Sequence, residues 1–216
     1  TQVGSSAASD VYKRQMSDRY YQTIEHGTYG GRLMDGDLFG YAMNPNCMID
    51  GPSQFDFYSG GGLDIAFLGF GEIDAAGNVN VSKLAGNTVG PGGFIDIAQN
   101  AHTVVFCGTF DTGGTRLEIG KGRLEIATHG RIAKLVSEVE QITFSGAQAL
   151  TQGQRIIYVT ERVVFELTEE GVSLIEIAPG VDLERDILNR MGFAPHIGAA
   201  PRVMDGLLFT DVEGET

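Results

Sequence analysis

The chain has 216 residues, of which 42% are hydrophobic, and its formal net charge at pH 7 is −13. This length fits one large domain or a piece of a longer protein, and the hydrophobic content is enough for a packed core. The strong acidity argues against nucleic acid or an anionic membrane surface as a partner. No apolar run in the sequence is long enough to span a bilayer.

Cysteine and histidine usage indicates a reducing compartment and no metal. Cys47 and Cys107 are far apart and lack Cys-x-x-Cys spacing, so we predict buried or free thiols in a cytoplasmic protein. The four histidines are scattered, without the His-x-x-x-His spacing of a metal site. We therefore predict no metal.

The first residues differ from the rest of the chain. Residues 1–15 are Ser/Ala-rich at first, have no apolar period and lead into Met16. They resemble a translated cloning or sequencing adapter, and we predict a foreign, disordered tail. Residues 16–216 would then form the domain.

The first functional candidate is Glu25, within residues 23–31 (TIEHGTYGG). It ends a short β-prone run, and the mouth of a strand is where α/β folds usually keep their chemistry. The glycines that follow would let a bulky reactant come close. The same pattern also describes a surface glutamate before a glycine turn, so this stretch alone leaves both interpretations open.

Several short elements follow this stretch. In chain order we predict a polar loop over Leu33–Asn46, a strand over Cys47–Asp50, a helical turn over Ser53–Tyr58, a strand over Leu63–Leu68 that is buried on both faces, and a hairpin over Glu72–Lys83 with its turn at Gly77-Asn78.

The second informative stretch joins glycines to an amphipathic helix. Phe94, Ile97, Ala98 and Ala101 follow the helical apolar spacing. The preceding glycines therefore lie at a helix N-terminus, where free backbone N–H groups favour an anion. A buried strand over residues 103–107 completes a parallel α/β unit.

The remaining elements are mostly strands. We predict two strands within Thr115–Thr128 around Gly120–Gly122, further strands over Glu138–Phe144, Arg155–Val159, Val163–Leu167 and Val172–Ile177, a helix with N-cap Asp182, inner face Leu183, Ile187, Leu188 and Met191, and end at Gly192, and a loop from Pro195. Together these elements predict an α/β fold: an open, mixed and mostly parallel sheet with flanking helices.

Five stretches resemble, in order and spacing, the C-terminal half of family I CoA-transferases, particularly the fused single-chain acetate/propionate type. They are residues 25–31, 54–64, 77–83, 92–95 and 178–182. The resemblance runs from about Tyr20 to Pro195 and implies the fold shared by NagB, RpiA and the CoA-transferases. It also implies that residues 16–216 are a domain truncated on its N-terminal side, and that the N-terminal transferase half is missing.

The resemblance implies a CoA-transferase of acyl-CoA and short-chain fatty acid metabolism. It would move CoA between a short-chain acyl-CoA and a carboxylate acceptor, and Glu25 corresponds to the nucleophile that forms a glutamyl-CoA thioester. Coenzyme A is then a substrate, and no prosthetic group is expected. The N–H groups of Gly92 and Gly93 are candidates for holding the oxyanion.

Weaker candidates and alternatives accompany this prediction. The resemblance suggests substrate contacts at His26, Gly27, Gly30, Gly61 and Asn80, although roles in turns and caps fit these residues at least as well. The full-length protein is expected to be a homo-oligomer, and the chain alone to show little or no turnover and to expose an apolar interface. Open alternatives are an acyl-CoA hydrolase of the same superfamily and a catalytically silent fragment or ligand-binding domain.

Overall fold

A computed structural model describes residues 21–34, 38 and 41–210. The tail predicted for residues 1–15 lies outside this part. The strands are β1 Thr23–Ile24, β2 Thr28–Tyr29, β3 Arg32–Leu33, β4 Ala42–Met43, β5 Cys47–Met48, β6 Ile65–Gly69, β7 Glu72–Ile73, β8 Val79–Asn80, β9 Lys83–Leu84, β10 Asn87–Thr88, β11 Thr103–Cys107, β12 Asp111–Thr112, β13 Arg116–Gly120, β14 Arg123–Thr128, β15 Ile132–Ala133, β16 Arg155–Val159, β17 Val163–Thr168, β18 Gly171–Ile177 and β19 Arg202–Val203. The α-helices are α1 Gly51–Ser59, α2 Phe94–Asn100 and α3 Gly146–Gln152.

The centre of the fold is a six-stranded sheet with the order β19-β18-β17-β16-β11-β6. Strands β6, β11 and β16 are parallel, β17 is antiparallel to both of its neighbours, and β18 and β19 are parallel again. The sheet is therefore mixed and mostly parallel, which confirms the predicted α/β fold class.

The unit β6–α2–β11 forms as the sequence predicts. Strands β6 and β11 pair in parallel from Thr103↔Ile65 to Cys107↔Gly69. The apolar face of α2 is buried against the sheet, with Phe94 stacked on Phe106 at a centroid distance of 5.8 Å. This unit fixes the glycine turn before α2 at the carboxyl edge of the parallel strands, because α2 runs from that edge to the edge where β11 begins.

Strand β6 differs from its prediction. Ala66 and Leu68 are buried, but Ile65 and Phe67 are 40% and 38% exposed. Strand β6 lies at the edge of the sheet, and its outward face is left uncovered by the described part of the chain. The prediction of burial on both faces is therefore wrong for this strand.

The segment before α3 was also predicted wrongly. Residues 138–144 form a loop rather than a strand, and Phe144 makes only an isolated bridge to Val79. Helix α3, which follows, was not predicted. Its N-cap is Ser145, whose Oγ accepts a hydrogen bond from the Gln148 N–H at 3.3 Å. Val139 and Phe144 are buried whereas Ile142 is exposed, so the apolar residues of this segment do not form one buried strand face.

The predicted loop at residues 33–46 contains β4 and the second residue of β3, which pair with each other as a small antiparallel hairpin. The predicted loop after Pro195 likewise contains β19 and a 3₁₀ turn at Gly206–Phe209. Both predictions missed two-residue strands, which are too short to show an alternating pattern, and β19 in addition pairs with a strand that is distant in sequence.

The segment after Asp182 begins as predicted but winds differently. The Oδ1 atom of Asp182 accepts from the Arg185 N–H at 2.8 Å, which confirms the N-cap. A π-helical turn then covers Leu183–Ile187, and a 3₁₀ turn covers Leu188–Arg190. The four predicted inner-face side chains do pack against the core.

The thiols agree with the prediction of buried or free cysteines. Cys47 is exposed, Cys107 is buried, and both are free.

Candidate active site

Glu25 is the first residue of the tight turn that joins β1 to β2. The Gly27 N–H donates to the Ile24 carbonyl at 2.9 Å and closes the turn. Strands β1, β2 and β5 form a small antiparallel sheet of their own. Glu25 therefore ends a strand, as predicted, but that strand does not belong to the central parallel sheet.

The Glu25 carboxylate lies against the glycine turn before α2. A Cβ placed on Gly93 would be 3.0 Å from Oε2 of Glu25 and 2.6 Å from two ring carbons of Phe55. The fold thus brings together the two stretches that the sequence singled out. They meet although they belong to different sheets and are distant in sequence.

The N–H groups of this turn are available as donors. Within the described residues, neither Gly92 nor Gly93 donates its N–H to a hydrogen-bond acceptor, and no side chain caps α2. Gly92 has a φ of +58°, a conformation that glycine adopts without strain. The turn therefore leaves two unused donors in the loop that touches the Glu25 carboxylate.

Gly27 and Gly30 have a structural reason for being glycine. Both have positive φ, and a Cβ on Gly27 would overlap the Ile49 carbonyl oxygen. A Cβ on Gly30 would overlap the side-chain oxygen of Asn46. These contacts let β5 pack closely on the Glu25 turn, and substrate binding by the two glycines stays a prediction.

The other weak candidates occupy different surroundings. His26 is exposed, with its ring 5.4 Å from that of Tyr41, and Gly61 is exposed at the turn after α1. Asn80 is fully buried: its Nδ2 donates to Glu72 Oε2 at 2.7 Å, and its Oδ1 accepts from two backbone N–H groups of the following turn. Among the described residues no hydrogen bond joins Glu25 to Gly61 or Asn80, and their substrate contacts stay predictions.

Three residues that the sequence analysis did not select support the Glu25 strand. The Nε2 of Gln54 donates to Thr23 Oγ1, and Thr23 Oγ1 lies 3.3 Å from the Tyr58 hydroxyl. Gln54 and Tyr58 are buried, and this burial raises the pKa of Tyr58. Their i, i+4 spacing on α1 was the available signal, since it places both on one helix face.

A separate ionic cluster follows β11 and β16. Arg162 is fully buried and donates to Asp111 at 2.8 Å and to Glu161 at 3.1 Å. His129 lies between Arg162 and Asp186, and its burial lowers its pKa, to which the Arg162 charge adds. The pairing is complete within the cluster, which indicates a structural role.

Two cavities lie away from Glu25. One is lined by residues 188, 191–195 and 197, and the other by residues 99–102 and 152–154. The described residues contain no group of three or more His, Cys, Asp or Glu side chains placed to hold a metal ion. They also contain no helix with the length and hydropathy needed to cross a membrane.

The sequence resemblance implied an α/β fold in which a carboxylate lies against a glycine turn with unused N–H donors. The structure has this arrangement. No protein-family model matches the chain. Curated relatives do: the chain is 47% identical over 195 residues to acetate CoA-transferase YdiF of Escherichia coli O157:H7, covering 90% of this chain and 37% of the relative. It is 45% identical over 214 residues to caffeate CoA-transferase of Acetobacterium woodii, covering 97% of this chain and 41% of the relative.

Solved structures agree. The YdiF apoenzyme from E. coli O157:H7 superposes with a TM-score of 0.84 at 46% identity, over 90% of this chain and 37% of that chain. The YdiF thioester complex with CoA gives a TM-score of 0.83 at the same identity, over 90% and 36%. The chain is thus a homologue of CoA-transferases, which confirms the predicted resemblance. It spans about two-fifths of the length of its curated relatives.

Proposed function

We propose that the protein containing this chain is a CoA-transferase that moves CoA between a short-chain acyl-CoA and a carboxylate acceptor of the acetate/propionate type. The observation that carries the proposal is the contact between the Glu25 carboxylate and Gly93, in a loop with unused N–H donors. The relatives' names, acetate and caffeate CoA-transferase, support the reaction class.

Glu25 is suited to act as the nucleophile. It is half-buried, and among the described residues no Lys or Arg lies within 4.0 Å of its carboxylate. Its lone pairs are therefore not held by an ion pair with any described Lys or Arg. Backbone donors beside a carboxylate can bind the charge that develops when it attacks a carbonyl carbon, and one such donor contributes about 3 kcal/mol to lowering a barrier.

The proposed chemistry is a double displacement. A Glu25 carboxylate oxygen attacks the thioester carbonyl, and the tetrahedral oxyanion accepts hydrogen bonds from Gly92 and Gly93. Its collapse expels the CoA thiolate and leaves an acyl-glutamyl anhydride. The thiolate then attacks the Glu25 carbonyl and releases the acyl group as a carboxylate, which gives a glutamyl-CoA thioester. An incoming carboxylate reverses these steps. The existence of a YdiF thioester complex with CoA supports this route.

The uncharged hydrogen-bond network of Thr23, Gln54 and Tyr58, which supports the Glu25 strand, fits this chemistry. Tyr58 stays protonated because its burial raises its pKa, and together with Gln54 it anchors Thr23, two residues before Glu25. The side chains that anchor the nucleophile's strand thus carry no competing cation. We infer that this network holds the Glu25 turn in place over Gly93.

We further propose that other parts of the protein complete the site. We propose residues 1–15 as a foreign tail, residues 16–216 as the C-terminal transferase domain, and an N-terminal half outside this chain. The uncovered face of β6, with Ile65 and Phe67, is compatible with a further domain. A cytoplasmic homo-oligomer without a prosthetic group is proposed for the complete protein.

Product analysis tests the function. The complete gene product is incubated with propionyl-CoA, with and without acetate. A transferase makes acetyl-CoA and propionate only when acetate is present. Free CoA that accumulates equally without acetate would instead identify a hydrolase. If neither acetyl-CoA nor free CoA formed, the result would favour a silent or ligand-binding domain.

A further inference from the structure

Lys134 places its amine at the carboxyl edge of the parallel strands. Its Nζ lies 4.0 Å from the centroid of the Phe70 ring, and a Cβ on Gly108 would be 2.9 Å from it. Phe70 directly follows β6, and Gly108 directly follows β11. In open α/β sheets, ligands bind outside this edge.

The backbone holds Lys134 firmly at this place. Its carbonyl oxygen accepts from the Ile73 N–H at 2.8 Å, and the next residue, Leu135, bridges to Ile73 and is buried. The side chain therefore extends from a fixed point toward the ends of the two strands.

The Lys134 amine has no counter-charge at contact distance. Among the described residues, no carboxylate lies within 4.0 Å of its Nζ. Burial lowers the pKa of Lys134 to about 8, and the attraction of Glu161, the charged group that faces it, offsets this only in part. Both oxygens of Glu161 are already hydrogen-bonded, one to the Phe110 N–H and one to Arg162. The face of the Phe70 ring stabilises the ammonium through a cation–π contact, and an anionic ligand would stabilise the desolvated charge further.

The same edge carries the candidate nucleophile. Gly93, which touches Glu25, precedes α2 at the carboxyl edge of β6. Phe94 stacks on Phe106, and Phe106 lies two residues before Gly108. One packed layer therefore connects the Glu25 turn to the place where the Lys134 amine lies.

We propose that the Lys134 ammonium binds an anionic oxygen group of the substrate at the sheet edge on which the Glu25 turn packs. The inference rests on the proposed transferase function. The chemistry fits two sources, the carboxylate of the acceptor acid and a phosphate of coenzyme A. The face of the Phe70 ring contacts the Lys134 amine, and the missing Cβ of Gly108 leaves room for Nζ, because any larger residue there would carry a Cβ 2.9 Å from it.

Direct anion binding tests the proposal without requiring turnover. The complete gene product is reductively methylated with ¹³C-formaldehyde, which keeps the lysine charge, and the resonance of each lysine is titrated with pH. An anion that binds the protonated amine must raise its pKa, so acetate or inorganic phosphate should raise the pKa of Lys134 while the exposed Lys121 stays unchanged. Equal small changes at both lysines with either anion would overturn the proposal.

Kinetics identify the source. The variant Lys134→Met keeps an apolar stem but removes the charge. We expect its KM to rise about tenfold for one substrate, because one charge-assisted hydrogen bond to that substrate is lost. A rise for acetate indicates the carboxylate. A rise for acyl-CoA that is absent with acyl-pantetheine, which lacks the nucleotide phosphates, indicates a phosphate.

Two further variants separate binding from folding. The KM of Lys134→Arg should lie close to that of the unaltered protein, because arginine keeps the charge. The KM of Lys121→Met should equal that of the unaltered protein. A fall in kcat alone, with Arg no better than Met, would mean a structural role and contradict the proposal. If the unaltered protein forms no CoA adduct on Glu25, the proposed function fails, whereas the NMR titration still decides the anion site.

Discussion

The Glu25 carboxylate and Gly93 are in contact: a Cβ on Gly93 would lie 3.0 Å from Glu25 Oε2. Gly93 has a φ of −79°, so its backbone conformation does not itself require glycine. The requirement is steric, because the Phe55 ring and the carboxylate together occupy the space beside its Cα. This separates the role of Gly93 from that of Gly92, whose positive φ favours glycine for conformational reasons.

Replacing Gly93 with alanine should therefore impair the chemistry more than the fold. The new Cβ would clash with the Phe55 ring and press on the Glu25 carboxylate. Because the carboxylate would move away from the two N–H donors, we expect thioester formation to slow by about 100-fold, comparable to the loss of one oxyanion donor. The rate of CoA adduct formation in the complete gene product is the measurement. Gly90→Ala is the matched control, since nothing lies within 4 Å of a Cβ at that position in the same loop. Equal rates for the two variants would contradict the proposed geometry.

Thr23→Val should destabilise the support of the Glu25 strand. Valine keeps the shape of threonine but removes the Oγ1 that accepts from Gln54, whose buried amide then lacks an acceptor. We expect the free energy of unfolding to fall by about 1–3 kcal/mol in urea denaturation. Thr128→Val, at an exposed position of β14, should change it by less than about 0.5 kcal/mol. The same loss in both variants would mean that the buried hydrogen bond is not the cause.

Asp186 should make stability depend on pH in acid. Two hydrogen bonds from the Arg185 guanidinium, each 2.8 Å, lower the pKa of Asp186 to about 2. A depressed carboxyl pKa stabilises the fold above the unfolded value of about 3.9, and this stability is lost as the pH falls toward 2. Because Arg185 is exposed and water screens part of the attraction, we expect about 1 kcal/mol.

Urea denaturation of Asp186→Asn at pH 7, 4 and 3 measures this effect. The variant should be less stable than the unaltered chain at pH 7, and the difference should shrink as the pH falls below 4. Asp56→Asn, at an exposed position on α1, serves as the control and should show little pH dependence. A gap for Asp186→Asn that stays constant from pH 7 to pH 3 would exclude the proposed ion pair as its source.

Local patterns predicted the elements whose side-chain periodicity matches their surroundings. The stripe of α2 and the apolar run of β11 identified both elements, because each is covered by the core on the side its pattern implies. The outward face of β6 does not follow this correspondence between an apolar pattern and burial. Ile65 and Phe67 are apolar but exposed, and burial of that face depends on a surface that the strand's own sequence does not describe.

The sequence predicted which residues belong to the candidate site, but not how they are arranged in space. Glu25 and Gly93 were selected by their motifs, and only the packing of the β1–β2 turn on the start of α2 shows that they touch. Thr23 and Gln54 were missed because a hydrogen bond between a strand and a distant helix has no sequence period. Lys134 was missed for the same reason. Its candidate role depends on the position of its amine beside the ends of β6 and β11, and the sequence around Lys134 does not show this position.

Peptide mass spectrometry can show whether Glu25 is the nucleophile. The complete gene product is incubated with acyl-CoA in the absence of an acceptor, digested under conditions that preserve thioesters, and compared with a Glu25→Gln variant. We expect a CoA adduct on the peptide that contains Glu25, its loss in the variant, and its discharge by acetate. The absence of any adduct, or an adduct on another residue that persists in the variant, would contradict this role of Glu25.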